Sequence, residues 1–188
     1  EVDTPPGIYS GNLLLTTPET ILASLPLEIE VFPFALPKTP SLRTAFAIMD
    51  NFTKQAYGDF SPELRRQSLD IMLEHRLNPD DISRYRPPRI EDLLYAREHG
   101  MNAFNLLNLV PEPDGEPLWV CFVDLAAYGD DFNRKLAARL DPIVAELRRH
   151  DLAKLAYVYG FDERGPEYDA TIRRICHFVK QRYPEIAT

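Results

Sequence analysis

Two hydrophobic periodicities divide this chain. From Ile8 to Leu15, and again from Leu25 to Phe34, apolar and polar residues alternate, most clearly where Leu27, Ile29 and Val31 face away from Glu28 and Glu30. That period of two predicts a pair of antiparallel strands. Pro5-Pro6-Gly7 precedes the pair and Pro33, Pro37 and Pro40 follow it, which places a domain boundary near residues 36 to 41. A lone two-stranded ribbon is marginal in water, so residues 1–38 read as the C-terminal strands of a truncated β-sandwich plus a linker.

From Leu42 onward strands alternate with helices. Arg43 to Met49 reads as a strand, and Ser61-Pro62-Glu63 opens a helix with a serine cap and proline at the first helical position. Leu69, Met72, Leu73 and Leu77 form its apolar stripe. Leu77 to Ser83 offers a short second strand, and a helix over Ile90 to His99 is terminated by Gly100. Met101 to Leu107 is a third strand, Pro111 to Pro117 a loop, and Leu118 to Val123 a short strand outside the repeat. A long helix capped by Asp130 or Asp131 buries Leu136, Leu140, Ile143, Val144 and Leu147, with a kink or a restart at Pro142. Ala153 to Phe161 is the fourth strand, followed by a helix with Tyr168, Ile172, Ile175, Cys176, Val179 and Tyr183 on one face.

Four βα units imply parallel strands with right-handed crossovers. Asp50 and Asn51, Asn105 and Asn108, and Asp162 and Glu163 each follow a strand, as when a barrel gathers a site at its C-terminal face. No glycine-rich phosphate loop follows the first strand, which weakens a doubly wound nucleotide fold. The expected class is therefore α/β, a partial (β/α)8 TIM-type barrel of about four units over residues 39–188, preceded by the short antiparallel segment. The chain begins at Glu1 and ends just after a helix, where such a fold enters its next strand, and so reads as an excerpt of a longer protein.

Composition narrows the function classes. The 188 residues are 45% hydrophobic with a net charge of −8 and no basic run, which argues against a nucleic-acid partner. No apolar run reaches the roughly 20 residues of a membrane span. Cys121 and Cys176 have no metal-like spacing and read as buried free thiols. His75, His99, His150 and His177 read as structural, no G-x-S-x-G elbow occurs, and the sequon Asn51-Phe52-Thr53 carries no assigned function.

The chemistry concentrates at Tyr157-Val158-Tyr159-Gly160-Phe161-Asp162-Glu163, a strand that ends on two adjacent carboxylates. Differing environments would let one stay ionised and the other hold a proton, with Tyr157, Tyr159 and Phe161 supplying apolar surface and faces for a sugar ring. As a bare dipeptide the pair reads more readily as a turn that satisfies loop amides or pairs with Arg164.

These residues resemble glycoside hydrolase family 123, also described as the domain of unknown function 4091. The likeness is carried by the Tyr157 to Glu163 run, by Glu74-His75-Arg76-Leu77-Asn78-Pro79, by Gly100-Met101-Asn102-Ala103-Phe104, and by Asp3 to Gly11, which is similar to the entry of a preceding β-sandwich. It implies retaining, substrate-assisted hydrolysis of terminal β-linked N-acetylgalactosamine or a related 2-acetamido sugar, with a glycan as partner and no metal or organic cofactor. By the same resemblance Asp162 would orient the acetamido group and Glu163 would act as acid and then base. From position alone, Tyr159 is a candidate for the acetamido pocket, Arg76 for sugar hydroxyls or equally for a structural ion pair, and Asn105, a strand-end amide, for hydroxyl recognition. Adjacent carboxylates do not suit an enzyme-borne nucleophile and an acid about 5 Å apart, whereas a nucleophile borne by the substrate removes that requirement. A secreted, periplasmic or cell-surface setting is the expectation for the parent protein, and the 188-residue piece alone is expected to be inactive. The alternative is a non-catalytic carbohydrate-binding or surface-assembly protein on the same barrel.

Overall fold

The computed structural model describes residues 3–58, 60–115 and 123–188. The chain is mixed α/β and divides into two compact units, Glu1–Pro37 and Lys38–Thr188.

The first unit is an antiparallel ribbon of β1 (Gly7–Thr16) and β2 (Ile21–Val31), closed by a turn in which the Thr17 hydroxyl accepts the amide of Thr20 at 3.2 Å. Its register pairs Tyr9 with Ile29, Gly11 with Leu27, Leu13 with Leu25 and Leu15 with Ala23. Directly opposed residues share a face, so one face carries these apolar side chains and the other is mixed, with Ser10, Asn12, Ser24, Glu28 and Glu30 beside Ile8, Leu14 and Pro26. Leu13 at 63% and Leu25 at 59% remain open to solvent.

The second unit is built on α1 (Asp50–Tyr57), α2 (Pro62–Glu74), α3 (Ile90–Glu98), β3 (Phe104–Asn108), α4 (Phe132–Arg149), β4 (Ala156–Tyr159) and α5 (Asp169–Arg182). β3 and β4 are parallel neighbours, with α4 in the crossover between them. Beyond α5 the chain returns to β4, where Ala187 forms a parallel bridge with Tyr157. The core lies between this sheet and the helices. Leu136, Leu140, Val144 and Leu147 on α4 and Ile175 and Val179 on α5 are buried against Phe104, Leu106 and Val158.

Local signals account for the helix ends. The Ser61 hydroxyl accepts the Leu64 amide at 3.2 Å to open α2. α2 closes with the Arg76 amide on Leu73 and the Leu77 amide on Met72, Arg76 taking the left-handed position at φ 57°. This is the paired 5→2 and 6→1 closure in which glycine is the usual residue. Asp131 stands at the N-cap of α4 without a side-chain cap bond and pairs instead with Lys135. α4 runs through Pro142 as one helix, losing one internal hydrogen bond there. His75, His99 and His150 are the C-cap residues of α2, α3 and α4.

Three expectations need correction. Residues 43–49 are not a strand. Ala47 makes a single antiparallel bridge with Asp81, and helix α1 begins at Asp50, so Asp50 and Asn51 lie in a helix rather than at a strand end. Leu77 to Ser83 is not a strand either. It lies beside β3 and runs the same way, Asn78 meeting Asn102, Asp80 meeting Asn105 and the Arg84 carbonyl meeting the Asn108 amide. Side chains take the bonds that a ladder would have used. Two strands of the expected four thus form the parallel sheet among the described residues. The proposed strand over Leu118 to Val123 falls almost entirely outside those residues, as does Cys121.

Candidate functional site

The end of β4 is shaped by three residues. Gly160 sits so close to β3 that a Cβ there would lie 2.8 Å from the Leu109 Cβ and 3.1 Å from its amide nitrogen. Only glycine fits that approach without a shift of backbone. The chain then turns through Phe161 at φ 62° and Glu163 at φ 49°, two side-chain-bearing residues in left-handed backbone on either side of Asp162. Such backbone is costly for residues other than glycine, by about 1–2 kcal/mol each, and persists where surrounding contacts hold it.

The aromatic residues supply those contacts. The Phe161 ring packs on Tyr128 at 5.0 Å between centroids, and Tyr128 in turn meets Phe132 at 5.0 Å and Tyr168 edge-on at 6.5 Å. The Tyr128 hydroxyl donates to the Leu109 carbonyl at 3.2 Å, and burial pushes this phenol up to about 12. The Tyr168 hydroxyl holds the Val123 carbonyl at 3.1 Å while Arg164 lies over its ring. Phe161 therefore anchors the turn. Asp162 and Glu163 face solvent just beyond it.

The other expected site residues are dispersed. Tyr159 is half-buried at the last position of β4, opposite Asn108, and its carbonyl accepts the Leu109 amide at 2.6 Å. Arg76 is not on a strand. It is exposed at the close of α2, and its left-handed backbone gives it a helix-terminating role. Asn105 is fully buried, its amide group donating to the carbonyls of Asp81 at 3.0 Å and Ile82 at 3.1 Å. Its side chain ties the 78–84 segment to β3, so the expectation of contact with substrate is corrected to a structural one. Its carbonyl oxygen has no hydrogen-bond partner among the described residues.

The sequence reading missed the main buried polar centre, Asp80. Its carboxylate receives the Asn105 amide at 2.9 Å, the Asp81 amide at 2.8 Å, the Tyr157 hydroxyl at 2.5 Å and Arg84 at 3.3 Å. Burial, reinforced by the Asp80 charge, raises the Tyr157 phenol far above its ordinary range. Burial also raises the neighbouring Asp81 carboxyl, against the pull of Arg84. One signal was available: Asn78-Pro79-Asp80-Asp81 also ends a strand-like run on two acids. A second polar layer lies below it, where Asn78 bonds Thr44, donates to the Asn102 side chain and accepts the Asn102 backbone amide, and the Asn102 side chain reaches the Pro40 carbonyl at 2.7 Å.

Beside Asp80 opens a cavity of about 290 Å³. α1, α2, α3 and the 79–89 segment enclose it. Arg65 spans it from Asp50 to Asp92, and Arg89 grips Asp92 through two bonds of 2.9 Å. Asp162 and Glu163 are not among its lining residues.

Among the described residues no group of three His, Cys, Asp or Glu side chains could hold a metal ion, and no helix is long and apolar enough to cross a membrane. No protein-family model matches the chain, and no curated protein matches it in sequence.

Proposed function

We propose that this chain carries the first half of a (β/α)8-type catalytic domain, of glycoside hydrolase family 123 kind, that releases terminal β-linked N-acetylgalactosamine or a related 2-acetamido sugar. The carrying observation is the placement of Asp162 and Glu163 at the C-terminal end of a parallel strand, on a turn that Gly160, Phe161 and the Tyr128 cluster hold in left-handed backbone. The parallel β3–α4–β4 unit, the 78–84 segment alongside β3 and the bridge from Ala187 to β4 support a barrel-like order of neighbours. The apolar face of the β1–β2 ribbon supports the accompanying reading of a β-sandwich layer.

In this account the substrate's acetamido oxygen attacks the anomeric carbon as the glycosidic C–O bond breaks. The Glu163 carboxyl gives its proton to the leaving oxygen. Asp162 accepts a hydrogen bond from the acetamido N–H and balances the positive charge that develops on the five-membered oxazolinium ring. The Glu163 carboxylate then takes a proton from water as that water opens the ring, restoring the acid and retaining configuration.

Hydrolysis of an aryl β-N-acetylgalactosaminide by the protein that contains this chain tests the assignment. Glu163→Gln should lower kcat by about 10²–10⁴-fold, the range for loss of a general acid–base group. Asp162→Asn should slow ring formation whatever the leaving group, whereas a substrate whose leaving group needs no acid should be spared only in the Glu163→Gln variant. Unchanged hydrolysis in both variants would remove the assignment. The second reading, carbohydrate binding without turnover, is favoured by the exposed position of both carboxylates. It predicts equal glycan binding by the parent and by Glu163→Gln, with hydrolysis by neither.

A further inference from the structure

The cavity beside Asp80 differs from the rest of this acidic protein in its charge. Among the described residues it is lined by five cationic side chains, Lys54, Arg65, Arg84, Arg86 and Arg89, against four carboxylates, Asp50, Asp80, Asp81 and Asp92, in a chain of net charge −8. The carboxylates are already engaged. Asp50 and Asp92 hold Arg65 and Arg89, Asp80 receives four protein donors, and Asp81 accepts the Ser83 amide at 2.9 Å. Lys54, exposed on α1, has no ion pair among the described residues, so the charge left over in the cavity is positive.

The remaining lining suits a sugar. Asn51, Ser68 and Ser83 provide amide and hydroxyl groups, the kind of polar anchors that small-molecule pockets use, while Phe60 and Tyr85 line the wall with Arg65 and Arg86 over their rings. One wall of the cavity lies beside the C-terminal end of β3. The Arg84 carbonyl accepts the amide of Asn108, the last residue of β3, and Asn108 stands opposite Tyr159, the last residue of β4. With about 4.8 Å between neighbouring strands, the cavity wall at Arg84 stands about 10 Å from the end of β4.

We propose that this cavity is a subsite for an acidic sugar, one bearing a carboxylate or a sulfate ester, attached to the 2-acetamido sugar processed at Asp162 and Glu163. The proposal rests on the glycosidase reading for the glycan's position but not for the cavity's charge. Lys54 meets the anionic group at the mouth of the cavity, and the hydroxyls of the same sugar reach Asn51 and Ser83.

Isothermal titration of the protein with glucuronic acid and with N-acetylgalactosamine 6-sulfate, against glucose and N-acetylgalactosamine as neutral controls, tests the subsite. At least one acidic sugar should bind about tenfold or more tightly than its neutral control, with affinity falling as salt is raised. The tighter of the two identifies the anion as carboxylate or sulfate. Lys54→Ala, at an exposed helix position that leaves the fold intact, should weaken that binding about three- to tenfold. Asp81→Asn removes a negative charge from the wall and should strengthen it. Equal binding of acidic and neutral sugars, or acidic-sugar binding that neither variant changes, would overturn the proposal. Acidic-sugar binding by a protein without hydrolytic activity would instead remove the glycosidase reading and leave the subsite standing, and hydrolysis with no acidic-sugar binding would do the reverse.

Discussion

At the scale of single residues, the deepest commitment of this protein is to Asp80 rather than to the pair at the end of β4. A carboxylate with a fully buried side chain is tolerated only when donors surround it, and here Asn105, Asp81, Tyr157 and Arg84 do so. Asp80→Ala leaves Arg84 and the Tyr157 hydroxyl without their partner and should cost about 3–5 kcal/mol, read as a lowered urea midpoint. Asp162→Asn, on the exposed turn, should stay within about 0.5 kcal/mol of the parent in the same titration. Equal stability of the two variants would contradict this division between a buried acid that holds the fold and an exposed one that does not. The distinction was hidden in the sequence because both acids end strand-like runs in adjacent pairs, Asp80-Asp81 and Asp162-Glu163. What separates them is the bulk around them: Tyr157, read as apolar surface for a sugar, turns its hydroxyl onto Asp80.

At the scale of elements, helices α2 to α5 and the β1–β2 ribbon were legible, α1 was not, and the strands expected over residues 43–49 and 77–83 do not form. A helix carries its own signals within a few residues, such as the Ser61 cap with Pro62, or the Leu136, Leu140, Val144 and Leu147 stripe that α4 buries. A strand depends on partners remote in sequence. Residues 43–49 and 77–83 have the composition of strands, yet Thr44, Asn78, Asp80 and Asn105 satisfy neighbouring backbone through side chains, and the ladder gives way to one bridge. Arg76 illustrates the same limit, since nothing in an arginine announces left-handed backbone. Its place in the close of α2 makes a direct prediction. Arg76→Gly relieves the conformational cost at φ 57° and should stabilise the protein by up to about 1 kcal/mol while leaving glycan turnover unchanged. Loss of turnover in that variant, measured beside its melting curve, would return Arg76 to the binding site.

At the scale of the whole molecule, the two units pose different physical problems. The β1–β2 ribbon presents Tyr9, Leu13, Leu25, Leu27 and Ile29 on one face and a mixed set, Ser10, Asn12, Glu28 and Glu30 with Ile8 and Leu14, on the other, so its more apolar face is the one that a second β layer would cover. The second unit has its own core, and its parallel β3–α4–β4 order delivers Asp162 and Glu163 to a strand end. In the proposed reaction this pair works with a nucleophile carried by the substrate. The most direct measurement is the hydrolysis rate of aryl β-galactosaminides whose 2-acetamido group carries none, one, two or three fluorines, assayed on the protein that contains this chain. Fluorine weakens the acetamido oxygen as a nucleophile, so the account predicts a steep fall in kcat/KM with each substitution. A rate that does not respond to fluorination, or a parent compound that is not hydrolysed, would contradict it.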